Sequence, residues 1–238
     1  MNREILLGDE AVGLGAIHAG LSGVYGYPGT PSTEIFEFVE RRTKKAGDVH
    51  AFWSTNEKVA YEEALGMSWA GKRALVCMKH VGLNVAADAF MNSAVTGTNG
   101  GLVLAVADDP GMHSSQNEQD SRYFAQFALI PCFEPRNQQE CYDMMFEAFE
   151  LSEELSVPVM VRLVTRIAHS RSGVATRQSC RHAPAPSLAA LSSKSWGTLI
   201  SCPQSTNAAN GIVRMVCTAM GAKGVSSYSQ VNGDSRES

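Results

Sequence analysis

Two runs of strand length, Arg73–Met78 (RALVCM) and Leu102–Ala107 (LVLAVA), are apolar almost throughout and show no alternation of polar with apolar residues. A strand with one wet face alternates. A run this uniform needs apolar cover on both sides, as in the middle of a parallel sheet packed between helices. The flanking segments supply such helices. Residues 9–21 read as a helix of small residues, and Thr33–Lys45 as an amphipathic helix with Ile35, Phe36 and Val39 on one face. Glu57–Ala70 and Gln138–Leu155 read as two more helices, and Gly23–Tyr27, His50–Trp53 and Val157–Val164 as further strands. Strands alternating with helices predict an α/β fold, a three-layer parallel sheet with helices on both faces and right-handed crossovers. Ligands of such sheets bind beyond the C-terminal ends of the strands.

Charge divides the chain. Residues 1–166 carry 13 Lys/Arg against 22 Asp/Glu, a balance of −9; residues 167–238 carry 7 against 2, a balance of +5, which leaves −4 overall. The second stretch is rich in serine and lacks amphipathic periodicity, so it buries too little apolar surface to offset its conformational entropy. The expected organisation is a domain over residues 1–172 followed by a Ser-rich, poorly ordered segment over 173–238. The small net charge gives no reason to expect nucleic acid or a membrane surface as partner. No apolar run approaches the roughly 18 residues that span a bilayer, and the acidic start MNREILLGDEAVG lacks the features of a signal peptide. A cytoplasmic location is the expectation. The six cysteines, at 77, 132, 141, 180, 202 and 217, form no CxxC pair. Reduced thiols are therefore expected, in place of a zinc ribbon or an iron–sulfur cluster.

Four polar loops follow the predicted strands: Tyr27–Thr33 (YPGTPST), Ser54–Glu57 (STNE), Lys79–Asn84 (KHVGLN) and the long Asp108–Arg122. All belong to one rim, where a rigid scaffold presents function-bearing loops. Gly13-Leu14-Gly15 invites a dinucleotide reading, but His18 stands where GxGxxG needs its third glycine, and the glycines lie inside a helical pattern. Tight helix packing explains them better. In YPGTPSTE, Pro31 suits a first helical turn and Thr30 or Ser32 a cap, while the free amides there also suit an anion or a polar ligand group. Glu57, starting a helix, either favours the helix dipole or faces a cleft and hydrogen-bonds a cofactor ring nitrogen. Glu62 and Glu63 read as ordinary surface charges. His80 and His113 lie on the same rim, as structural residues or as ligand contacts. No His/Asp/Glu spacing matches a familiar metal-ligand set, and no GxSxG elbow is present.

Three long stretches in this order, YPGTPSTEIFE, TNEKVAYEEALGMSWAGKRALVCMKHVGLNVAAD and DDPGMHSSQNEQDSRYFAQFA, closely resemble the N-terminal domain of the indolepyruvate ferredoxin oxidoreductase alpha subunits. Those enzymes are thiamine-diphosphate-dependent 2-oxoacid:ferredoxin oxidoreductases. The resemblance runs over about residues 5–172, through VPVMVRLVTR and the HSRS after it. It implies a pyrimidine-binding domain, which holds the aminopyrimidine ring of thiamine diphosphate. Glu57 matches the family's essential glutamate, whose carboxyl bonds ring nitrogen N1′ and so promotes loss of the thiazolium C2 proton. By the same matching, Pro28, Gly29, Thr30, His80 and Gly82 would join Glu57 around the cofactor, and Thr30, His80 and His113 would meet the substrate. Pyruvate-acting members of the family carry an arginine near the strand end that here reads Ala107-Asp108-Asp109, so an aryl pyruvate such as indolepyruvate is expected.

The departures from the family pattern are equally informative. A full alpha subunit continues into a diphosphate-binding domain with a GDG…N motif for Mg²⁺, then into a ferredoxin-like domain holding [4Fe-4S] clusters on repeated CxxCxxC. Neither pattern occurs here, and Asn232-Gly233-Asp234-Ser235 is not that metal motif. The expectation is a truncated or frameshifted alpha subunit holding half of the cofactor site and inactive alone. Activity would then require a separate diphosphate-binding domain and a beta subunit, with 2-oxoacid, coenzyme A and ferredoxin as reactants. The alternative is a non-catalytic binding or assembly module that keeps the fold.

Overall fold

In the computed structural model, which describes residues 2–177, the uniform apolar runs lie at the centre of a parallel sheet. The elements in chain order are β1 (Asn2–Leu7), α1 (Gly8–His18), β2 (Gly23–Gly26), α2 (Thr33–Thr43), β3 (His50–Trp53), α3 (Glu57–Trp69), β4 (Ala74–Lys79) and α4 (His80–Thr96). There follow β5 (Leu102–Asp108), α5 (Arg122–Ala128), β6 (Cys132–Phe133), α6 (Gln138–Leu155), β7 (Val159–Val164), α7 (Thr165–Ala168) and β8 (Arg171–Thr176). Six strands pair in parallel in the order β3-β2-β4-β5-β7-β6. The two apolar runs are neighbours, with Ala74 opposite Leu102 and Lys79 opposite Ala107. Every residue of β5 is buried, as a central strand covered on both faces requires.

Helices α1, α2 and α6 cover one face, burying Phe36, Val39, Tyr142, Met145 and Phe149 against Leu75, Cys77, Val103 and Ala105. Helices α3, α4 and α5 cover the other, where Tyr61, Leu65, Leu83, Phe90 and Ala125 meet Val76, Met78, Leu104 and Val106. Alternate residues of β4 and β5 thus serve opposite cores, which is the strand period of two expressed as two layers. The glycines of α1 pack helices. A Cβ on Gly15 would stand 2.5 Å from the Tyr142 carbonyl oxygen of α6, and one on Gly13 would stand 3.0 Å from Phe38 of α2. No strand-to-helix turn occurs at this motif, so it lacks the geometry of a dinucleotide fingerprint.

Three features depart from the expectations. Lys79–Asn84 is not a loop: α4 begins at His80 and runs for 17 residues. A separate antiparallel pair, β1 with β8, carries the described fold to Thr176, past residue 172. Neither Thr30 nor Ser32 caps α2 through its side chain; the Ser32 hydroxyl donates back to the Gly29 carbonyl at 2.7 Å. The expectation of poor order over 173–238 falls, from residue 178 onward, outside the described residues. Among the described residues, no helix is long and apolar enough to cross a membrane.

Candidate functional site

Strands β3, β2, β4 and β5 are consecutive in the sheet and parallel, so the segments leaving their C-terminal ends share one rim. Asn56 decides where α3 starts. Its extended backbone stops the strand, and its side-chain oxygen accepts from the Val59 amide at 3.0 Å, which sets Glu57 as the first helical residue. From there Glu57 reaches the first turn of α4. A Cβ on Gly82 would lie 2.6 Å from both Cγ and Oε1 of Glu57, so only glycine leaves the space this carboxylate fills. Glu57 is half-buried and accepts no hydrogen bond from the described residues. The arrangement is a carboxylate held by backbone contact, with its acceptor capacity intact.

The YPGTP turn lies beside this seat. Gly29 donates its amide to the Thr33 hydroxyl at 2.8 Å, and the stem of Lys79 covers it so closely that a Cβ would meet the lysine Cδ at 3.0 Å. The peptide between Thr30 and Pro31 is cis. Thr30 is partly buried, and its hydroxyl makes no hydrogen bond among the described residues. Pro28 is exposed.

The long loop after β5 is tied back over the β4–α4 junction. Lys79 donates to the Ser114 carbonyl at 3.0 Å. His80 is fully buried, and its Nε2 sits 3.0 Å from the Asn117 carbonyl. A carbonyl can only accept, so Nε2 carries the proton and Nδ1, buried without a partner, is left as an acceptor. At the loop's root, Asp109 accepts from the Ser114 amide at 2.7 Å and the Thr165 hydroxyl at 2.8 Å. Burial alone would raise the Asp109 pKa, but these bonds outweigh it and hold it at about 2. Asp108 accepts from Arg162 at 2.6 Å and from the Ser121 amide at 3.0 Å, and Arg162 also pairs with Glu134. His113 lies exposed on the loop.

The structure thus joins Glu57 directly to Gly82, and places Gly29 next to Lys79. It sets His80 beneath the long loop as its anchor, and leaves His113 on the loop's outer side. The sequence reading missed Lys79 and Asn117 as tethers, and the Asp108–Arg162 pair. An arginine inside VMVRLV is a signal in itself, because a charge in an otherwise apolar strand needs a buried partner. Glu63, read as a surface charge, accepts instead from the Ser54 hydroxyl.

Together these features define a parallel α/β domain whose rim, at the C-terminal ends of β3, β2, β4 and β5, is where such sheets generally bind ligands. The chain belongs to the pyruvate flavodoxin/ferredoxin oxidoreductase, thiamine-diphosphate-binding family, whose pattern residues 14–194 match. It is 52% identical over 170 residues to the indolepyruvate oxidoreductase subunit IorA of Pyrococcus horikoshii, a match covering 71% of this chain and 26% of that relative. It is 30% identical over 175 residues to the 2-oxoglutarate synthase subunit KorA of Methanothermobacter thermautotrophicus, covering 70% and 46% of the two chains. The fold also matches a 2-oxoglutarate:ferredoxin oxidoreductase from Magnetococcus marinus solved with 2-oxoglutarate, coenzyme A and succinyl-CoA bound. That match has a TM-score of 0.64 and 23% identity, and covers 77% of this chain and 32% of that one. The chain therefore spans only part of the length of the proteins it resembles.

Proposed function

We propose that residues 1–172 are the pyrimidine-binding part of a 2-oxoacid:ferredoxin oxidoreductase that converts an aryl pyruvate, such as indolepyruvate, oxidatively to the acyl-CoA. The observation that carries this reading is the Glu57–Gly82 seat. A ring nitrogen needs a carboxyl group of fixed direction with free hydrogen-bonding capacity, and the cradle that a Cβ would fill supplies one. When bound, thiamine diphosphate supplies the electron sink for decarboxylation. Glu57 would hydrogen-bond the ring nitrogen, and Thr30 offers a free hydroxyl from the same rim. Pro28 and Gly29 shape the turn against which the ring would rest, and Gly82 keeps the carboxylate in place. His80 and Lys79 hold the long loop down, and His113, exposed on that loop, is assigned to meet the substrate as the assembly closes over the rim.

Half of the cofactor site lies elsewhere in this reading. A diphosphate-binding domain supplies the Mg²⁺ site, and iron–sulfur clusters and a beta subunit complete electron transfer to ferredoxin.

 

The match covers 26% of IorA and 46% of KorA, so most of each relative's length lies outside it. The Ser-rich segment over 173–238 is assigned no part in the chemistry. The free thiols Cys77, Cys132 and Cys141 support a reducing, cytoplasmic setting.

The test is a graft. Residues 1–177, which include all of β8, replace the matching segment of a full-length indolepyruvate oxidoreductase alpha subunit, assembled with its beta subunit, and ferredoxin reduction is followed with aryl pyruvate and coenzyme A. Substrate-dependent reduction is expected, and its loss in Glu57→Gln. An assembled graft that reduces no ferredoxin would favour the non-catalytic module instead.

A further inference from the structure

Glu10, in the first turn of α1, is fully engaged: it accepts from the Leu7 amide at 3.0 Å and pairs with Arg41 at 3.5 Å. Its neighbour Asp9 is the opposite case. Asp9 is 0% exposed, and neither carboxylate oxygen has a hydrogen-bond partner. Oε2 of Glu34, at the start of α2, is likewise buried without a partner, while Oε1 lies 3.4 Å from Nε2 of His169. One ligand atom from each of Asp9, Glu34 and His169 lies within 4.8 Å of the others.

Three separate elements build this cluster. Gly8 is pressed on the α7 segment so tightly that a Cβ would stand 2.3 Å from the Ile167 carbonyl oxygen, which brings Asp9 toward His169. No lysine or arginine among the described residues pairs with Asp9. As an anion, Asp9 is therefore buried with no compensating partner.

We propose that Asp9, Glu34 and His169 form a site for one divalent transition-metal ion, which ties α1 and α2 to the end of α7. Two carboxylates balance the charge of such an ion, and the imidazole nitrogen favours zinc, manganese or iron over calcium or magnesium. Ligand atoms at about 2.0–2.2 Å from a common centre stand at most about 4.4 Å apart, and Glu34 and His169, at 3.4 Å, already meet that span. His169 is partly exposed and leaves a route from solvent.

The untagged full chain, stripped with a chelator, is titrated with Mn²⁺ by electron paramagnetic resonance and with Zn²⁺ by calorimetry. One equivalent of saturable binding and a rise in Tm are expected. Asp9→Asn and His169→Ala should each weaken binding by more than ~10-fold, whereas Asp88→Asn, at an exposed carboxylate, should leave it unchanged. Asp9→Asn removes a buried charge without changing shape, so its metal-free Tm should equal or exceed the parent's; His169→Ala, at the surface, guards against a folding defect. No saturable binding by the parent chain, or equal binding by both variants, overturns the site.

Discussion

Gly82 and Glu57 constrain one another at the scale of single atoms. In Gly82→Ala the new methyl group would meet Cγ and Oε1 of Glu57 at 2.6 Å, and the carboxylate must turn away. Replacing a helical glycine with alanine also favours the helix by up to ~1 kcal/mol. Thermal stability should therefore change little, while thiamine diphosphate binding in a reconstituted assembly should weaken at least ~10-fold (from a ~1.4 kcal/mol loss), as measured by calorimetry. Asp109 gives a pH-dependent counterpart. Its pKa falls from 3.8 to about 2 on folding, so the stability it contributes is present above pH 3.8 and is lost as pH falls through about 2. In Asp109→Asn, acid unfolding followed by circular dichroism should lose that part of its pH dependence. The rim residues were legible because each follows a strand; the tethers were not, since Lys79–Ser114 and His80–Asn117 join residues 35 and 37 positions apart. Asp9 and Glu34 lie 25 positions apart and His169 a further 135 along the chain, and no spacing rule joins them.

Helix packing sets the next scale. Gly15→Ala places a methyl group 2.5 Å from a backbone oxygen of α6, which cannot swing aside, whereas Gly13→Ala meets the end of the Phe38 ring at 3.0 Å. Overpacking costs about 1–3 kcal/mol, more than the helix gains from alanine. Gly15→Ala should therefore lower Tm clearly, and Gly13→Ala by less, in a thermal melt. The helices with wide apolar stripes were readable from the sequence, as α2 and α6 show. Helix α4 was not, because it starts directly at the strand end, where Gly82 and Asn84 in KHVGLN suggest a loop; its signal is the Leu83, Ala86, Phe90 and Ser93 spacing, all buried. Strands β6 and β8 escaped for other reasons. β6 has two residues, and β8 pairs with the other end of the described chain.

At the scale of the whole molecule, the sheet order brings four loops to one rim, and the family match assigns that rim to a thiamine-diphosphate-binding domain. The rim is one side of a site in the proposed reading, so its chemistry is visible only in an assembly that supplies the other side. The most direct measurement is hydrogen–deuterium exchange at C2 of thiamine diphosphate bound to the graft of residues 1–177, compared with its Glu57→Gln variant. Exchange should be fast in the parent graft and about 10²–10⁴-fold slower in the variant, with both assemblies binding the cofactor. Equal rates in the two would contradict the role assigned to Glu57.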